Sequence, residues 1–241
     1  MSPKALLTRA ALAGALALAV PATASAAGLD QGPGVPPGQV ELTQTTVEIT
    51  GSNAVPRHER TQQWLTADSS HTIVRKIPSG KLRFEGLTTP RLEVRLDTDE
   101  GTVFVGKGSA TPPYQTLAQY GRLFAAQLAA GCFTKTGETE FNGRLADTYA
   151  KASNGGTCRG EARRYDAVVD RETGYVVQRT VGETDGSFLE VDTVERWQTL
   201  ALTGQTKALL TPQWSAVAKA AKTGKAPKSA AKRRRHAKAH R

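Results

Sequence analysis

The residues that could do chemistry are few and scattered. The chain has four histidines, and two of them, His58 and His71, fall in its central part. His58 sits in Arg57-His58-Glu59-Arg60, which reads as a polar, solvent-facing strand. His71 follows Ser69-Ser70 and reads as part of a turn. A metal site built on either would need ligands from afar, since only Asp68 lies near in sequence. The patterns that place a zinc pair, a nucleophile elbow or a phosphate-cradling loop (H-E-x-x-H, G-x-S-x-G, G-x-x-x-x-G-K-[ST]) do not occur. Asp97, Asp99 and Glu100 gather three carboxylates, but without the twelve-residue calcium loop they read as a solvated hairpin tip. Two convergent carboxylates could still hydrolyse a glycoside, and nothing in the chain favours a particular pair. The sequence therefore assigns no catalytic residue, no metal and no cofactor, and points away from an enzyme.

The N-terminus carries a stronger signal. Lys4 and Arg9 are followed by an apolar run from Ala10 to Val20, a break at Pro21 and the small residues Ala22 to Ala26. This is the order of a cleaved export signal over residues 1–26. Its apolar core is about half the roughly 20 residues a bilayer crossing needs. The expected location is outside the cytoplasmic membrane, periplasmic or secreted. In an exported chain the even pair Cys132 and Cys158 favours one disulfide. It would close a loop of about 25 residues, worth roughly 3 kcal/mol in the chain-entropy view. Two reduced thiols are the alternative, and no C-x-x-C pair suggests redox work.

Charge is uneven. The formal net charge is +10 over 241 residues. Residues 219–241 hold ten Lys or Arg and no acid, whereas the part between signal and tail has slightly more acids than bases. Lacking large apolar side chains, this tail reads as a disordered polybasic segment. Lys232, Arg233, Arg234, Arg235, Lys238 and Arg241 are its candidates for binding anionic lipid headgroups or envelope polymers, at about 1 kcal/mol per charge near such a surface. A solvated tail that keeps the protein soluble is the other reading.

The elements that must position everything else lie between. Residues 27–38 form a Gly/Pro linker, and residues 39–218 one domain. Short strands with tight turns fill its first half. Arg91 to Asp97 alternates cleanly, with Leu92, Val94 and Leu96 on one face and Arg91, Glu93 and Arg95 on the other. Leu117, Tyr120, Phe124 and Leu128 recur at helical spacing within Tyr114 to Ala130, which Gly131 stops. Strands then resume through the Asn142-Gly143 hairpin to a long strand ending near Trp197, whose Phe188, Glu190, Asp192 and Val194 make a face of mixed character. A second helix covers Pro212 to Lys222.

In this second half the chain resembles the LolA-like superfamily of exported lipoprotein carriers and the N-terminal domain of RseB-type sigma-factor regulators. The likeness rests on Asn142-Gly143-Arg144 with Tyr149, on Val169-Asp170 and Thr173-Gly174, and on Trp197. It spans roughly residues 39–202, and the cysteine pair and polybasic tail depart from the carriers. The resemblance implies an α+β fold in which a strongly curved antiparallel sheet, an incomplete barrel, is covered on its concave face by one or two helices. It also implies a cavity for a lipid, lipoprotein or other amphiphile, with Trp64, Phe84, Leu92, Val94, Leu96, Phe104, Leu117, Tyr120 and Phe124 as lining candidates. An ordinary packed core is the plainer reading of those residues. The function so implied is non-catalytic binding in the cell envelope by a monomer, with a sensor that binds a membrane anti-sigma factor as the alternative.

Overall fold

A computed structural model describes residues 34–109, 114–152 and 164–224. The export signal, Cys158 and the tail from residue 225 lie outside the described residues, as does the linker up to residue 33. Within them, eleven antiparallel strands form one open sheet in the order β6-β5-β4-β3-β2-β1-β11-β10-β9-β8-β7. The first six are β1 (Gln39–Thr50), β2 (Arg57–Leu65), β3 (Ser70–Lys76), β4 (Leu82–Thr88), β5 (Leu92–Asp97) and β6 (Thr102–Lys107). The other five are β7 (Phe133–Phe141), β8 (Arg144–Lys151), β9 (Arg164–Asp170), β10 (Val176–Gly182) and β11 (Leu189–Ala201). Two meanders thus meet along the long β1–β11 pair, and the sheet does not close, so the fold is the α+β incomplete barrel expected. Among the described residues no helix is long and apolar enough to cross a membrane.

Local chemistry explains the turns. Asn142 and Gly143 both take positive φ, 51° and 77°, the pair of left-handed conformations that a two-residue hairpin of matching twist requires. At the β5–β6 tip the Asp97 carboxylate accepts the amides of Asp99 and Glu100, while Asp99 pairs with Lys76 and Arg83. These carboxylates are occupied in shaping a hairpin and anchoring it.

Among the described residues there are three helices: α1 (Leu117–Ala129), between the edge strands β6 and β7 in the chain, and α2 (Gly204–Ala208) and α3 (Ser215–Thr223), after β11. Helix α1 starts later than the sequence spacing suggests, because Thr116 caps it: its hydroxyl accepts from Gln119 N–H while the Gln119 side chain returns to the Thr116 amide. No acid lies in its first turn. Glu41 of β1 supplies that charge instead, accepting from Leu117 N–H at 3.1 Å, where the helix end carries partial positive charge. Gly121 lets α1 approach closely, since a Cβ there would stand 2.5 Å from the Gly174 carbonyl oxygen.

The two main helices lie on opposite faces. Tyr120 and Phe124 of α1 pack with Phe133, Ala167 and Val176, backed by Tyr149 and Tyr165. Register runs this face from Ala167 through Arg179, Asp192 and Val47 to Glu59. Val217 and Ala220 of α3 pack on Val94 and Leu96, whose face runs through Leu87 and His71 to Trp64 and Leu42. Since β1 is continuous, Leu42 and Val47 point to opposite sides. Helix α1 therefore covers one face of the incomplete barrel and α3 the other. Residues 219–223 lie in α3, where Ala220 is fully buried, and Gly224 caps the helix.

Candidate functional site

The nine lining candidates do not converge. Leu92, Val94 and Leu96 lie under α3, with Leu82, Val103 and Val105 completing that cluster. Trp64 lies on the same face with Val40 and Ile73, covered by Leu209 and Leu210 after α2. Phe84 is buried on the other face of the same half, by register with Val74 and Thr61. Phe104 is half exposed beneath Arg95, whose guanidinium carbon is 5.3 Å from the ring centre. Leu117, Tyr120 and Phe124 belong to α1, over the distant β7–β10 half. The clean alternation of β5 is real, but its apolar side is filled by α3 and lines no space shared with α1.

What sequence spacing misses is polar. His71 is a fully buried residue of β3, not part of a turn. Its Nδ1 lies 2.7 Å from the Leu209 carbonyl oxygen and its Nε2 2.9 Å from Glu85 Oε1. Glu85 also accepts the backbone amides of Gln213 at 2.6 Å and Trp214 at 2.8 Å. Burial pushes the Glu85 carboxyl up, but His71 and the two amides outweigh it and hold the group below the ordinary carboxylate range. A carbonyl can only accept, so Nδ1 donates. Nε2 faces the Glu85 carboxylate. Trp64 stacks on it at 5.2 Å between centroids. This cluster fastens the chain between α2 and α3 to the sheet.

The α1 face carries its own buried ions. Arg179 donates from Nε to Asp192 Oδ2 at 2.8 Å and from Nη2 to Glu190 at 2.9 Å. The hydroxyls of Tyr120 and Tyr165 bond to each other nearby. Burial raises both carboxyls against the pull of Arg179, and Asp192 raises Glu190 further. Asp192 Oδ1 has no partner among the described residues. On the far side of Val47, Arg83 donates to Glu59 at 2.9 Å, both side chains buried.

Between these clusters and Tyr114 runs a buried strip on β1 to β4. Thr43, Thr45, Thr61, Gln63 and Thr72 alternate by register with Val47, Leu65, Val74 and Phe84. Gln63 is 7% exposed, and its Nε2 has no partner among the described residues. Tyr114 lies against Thr72, and burial raises its phenol while that hydroxyl opposes the shift. The strip is amphipathic along its length rather than the aliphatic wall expected.

Of the other expected sites, Cys132 is buried and disulfide-bonded, and Cys158 lies outside the described residues. His58 is exposed on β2. Lys232, Arg233, Arg234, Arg235, Lys238 and Arg241 lie outside the described residues.

No protein-family model and no curated protein matches the chain. Solved structures similar to it include an uncharacterized conserved protein from Thermus thermophilus, with 10% identity over 74% of this chain and 87% of that one at a TM-score of 0.44. Another is MucB in the MucA/MucB complex of Pseudomonas aeruginosa, with 16% identity over 69% of this chain and a TM-score of 0.39. This chain spans 54% of that one. A LolA superfamily protein from Nitrosomonas europaea is similar at 6% identity over 74% of this chain and 92% of that one, with a TM-score of 0.31. All three likenesses are at low identity.

Proposed function

We propose that this chain is an exported, non-catalytic binding protein of the cell envelope that receives an amphiphile on the α1 face of its sheet. The observation that carries the reading is the strip on β1 to β4, and within it the Gln63 amide. A buried donor left without a partner costs about 1–3 kcal/mol, and native proteins seldom keep one without a use. An amphiphile supplies what is missing: a polar oxygen for Gln63 Nε2, and methylenes for Val47, Leu65, Val74 and Phe84 at about 0.8 kcal/mol per CH₂ removed from water. The strip is shut from solvent in this state, so binding requires the segment carrying Tyr114, which lies against Thr72, to move aside. The export signal expected from the sequence supports a role outside the cytoplasmic membrane.

The test uses the full-length protein with a fluorescent fatty acid, together with mass spectrometry of co-purified lipid. Val74→Trp crowds the middle of the strip. The expected result is loss of bound probe with unchanged far-ultraviolet circular dichroism. A parent protein that binds no acyl probe and carries no lipid overturns the reading and leaves the strip as ordinary core.

A further inference from the structure

The positive charge of this chain does not begin with its tail. No acid follows Glu195 anywhere in the sequence, so α2, α3 and the segment between them are free of negative side chains. Lys207, Lys219 and Lys222 are all exposed. Lys219 and Lys222 stand outward on α3, away from Val217 and Ala220, which are buried against the sheet. At the start of α3 lies an open groove of about 500 Å³ lined by Arg75, Ser79, Gly80, Lys81, Leu82, Gln213 and Trp214. Arg75 spends its donors on the Gly80 carbonyl and the Gln213 side chain, at 3.2 and 3.0 Å, and meets no carboxylate. Lys81 is exposed beside it.

Elsewhere on the sheet many cations are paired at home, although Arg91, Lys107 and Arg196 are exposed without a carboxylate partner among the described residues. Arg60 pairs with Glu195, Lys76 with Asp99, Arg95 with Glu93, Lys135 with Glu138 and Asp147, and Arg164 with Asp166. Among the described residues, Arg75, Lys81, Lys207, Lys219 and Lys222 have no carboxylate partner. Beside Arg75 and Lys81, which line the same groove, Trp214 leaves 41% of its surface in solvent. Its backbone amide is fixed to Glu85 at 2.8 Å, so the backbone that carries the indole is held to the sheet. An exposed tryptophan beside cations without carboxylate partners matches the interface of an anionic bilayer. There the indole sits at headgroup level and each nearby lysine strengthens attachment about fivefold.

We propose that the α3 side of the folded domain docks on an anionic lipid bilayer, with Trp214 in the headgroup layer and Arg75, Lys81, Lys219 and Lys222 on the phosphates. The surface lies on the opposite face of the sheet from the strip and stands whether or not an amphiphile binds there.

The experiment is sedimentation of the full chain with vesicles of phosphatidylcholine alone, or of phosphatidylcholine with 30% phosphatidylglycerol (roughly the anionic content of a charged leaflet). Tryptophan emission is read in parallel. Binding is expected to the anionic vesicles only, to weaken with salt, and to shift emission to the blue in the parent but not in Trp214→Phe. Lys219→Glu with Lys222→Glu should weaken binding at least tenfold. Lys81→Glu, on a different element, should weaken it several-fold, which separates loss of charge from loss of α3. Replacing Lys232, Arg233, Arg234, Arg235, Lys238 and Arg241 by Ser should lower affinity yet keep the dependence on Trp214. Unchanged binding in the lysine variants overturns the proposal. So does binding that ignores Trp214 and is matched by a soluble polyanion such as polyphosphate, which would assign the charge to a polymer partner.

Discussion

Glu85 gives the sharpest test of how the C-terminal helices are held. Glu85→Leu removes the acceptor for His71 Nε2 and for the amides of Gln213 and Trp214, at 2.9, 2.6 and 2.8 Å. Each hydrogen bond to a charged group is worth about 1.5–3 kcal/mol. The three share one carboxylate, so they do not add. Leaving a buried donor without its acceptor costs about 1–3 kcal/mol, and that range is the expected loss. It should show as a lower urea midpoint and, more specifically, as faster hydrogen exchange of the α3 amides from Ser215 to Thr223. The effect depends on pH in a defined direction. The Glu85 carboxyl is held below its ordinary value of 4.5 in the folded state. Its contribution is therefore complete above about pH 4.5 and is lost as pH falls through the lower, folded value. The stability gap between parent and variant should be constant from pH 6 to 5 and should narrow on further acidification. A loss below about 1 kcal/mol, with α3 exchange unchanged, would refute the claim that this cluster fastens the helix.

Arg179→Met should leave Asp192 and Glu190 buried without their cation, at a cost of about 3–5 kcal/mol by urea unfolding. Both carboxyls already stand above their ordinary values and would rise further, so the folded state holds protons that the unfolded state releases. The loss should therefore be larger at pH 8 than at pH 5. Gly121→Ala should destabilise by about 1–3 kcal/mol despite alanine's better helix propensity, because the added carbon meets the Gly174 carbonyl. A thermal melt that shows a gain instead would mean α1 sits farther from the β9–β10 turn.

The sequence made the local parts of the fold legible and hid the long-range ones. Asn142-Gly143, Gly131 and the alternation of β5 each depend on neighbours within a few residues, and each lies where its pattern indicates. What covers the apolar side of β5 does not follow from alternation, which states that one face is buried and not by which helix. His71 resembled a turn residue because its partners are remote: Glu85 is 14 residues away and Leu209 is 138. The mixed face of the last strand was visible as Glu190 and Asp192 beside Val194. It resolves only through Arg179, which reaches them from the adjacent β10. The polar strip was hidden for a related reason. Thr61 and Gln63 stand in a run that reads as solvated, and their burial comes from register with β1 and β3, which no local pattern encodes.

The way α3 is held bears on what it can present. A nine-residue helix is too short to be stable alone in water, and the side chains it buries most fully are small, Val217 and Ala220. Helix α1 is longer and carries Leu117, Tyr120 and Phe124 into the core, so apolar contact suffices for it. For α3 the missing stability comes from a polar anchor at one end, where Glu85 takes the Gln213 and Trp214 amides. An anchor of this kind leaves most of the helix circumference free. Lys219 and Lys222 are not drawn into ion pairs to stabilise the helix, and the Trp214 ring is not needed in the core, since its backbone alone makes the attachment. The same chemistry that compensates for a small apolar footprint thus keeps the basic, aromatic side of α3 directed to solvent, which an outward-facing docking surface requires.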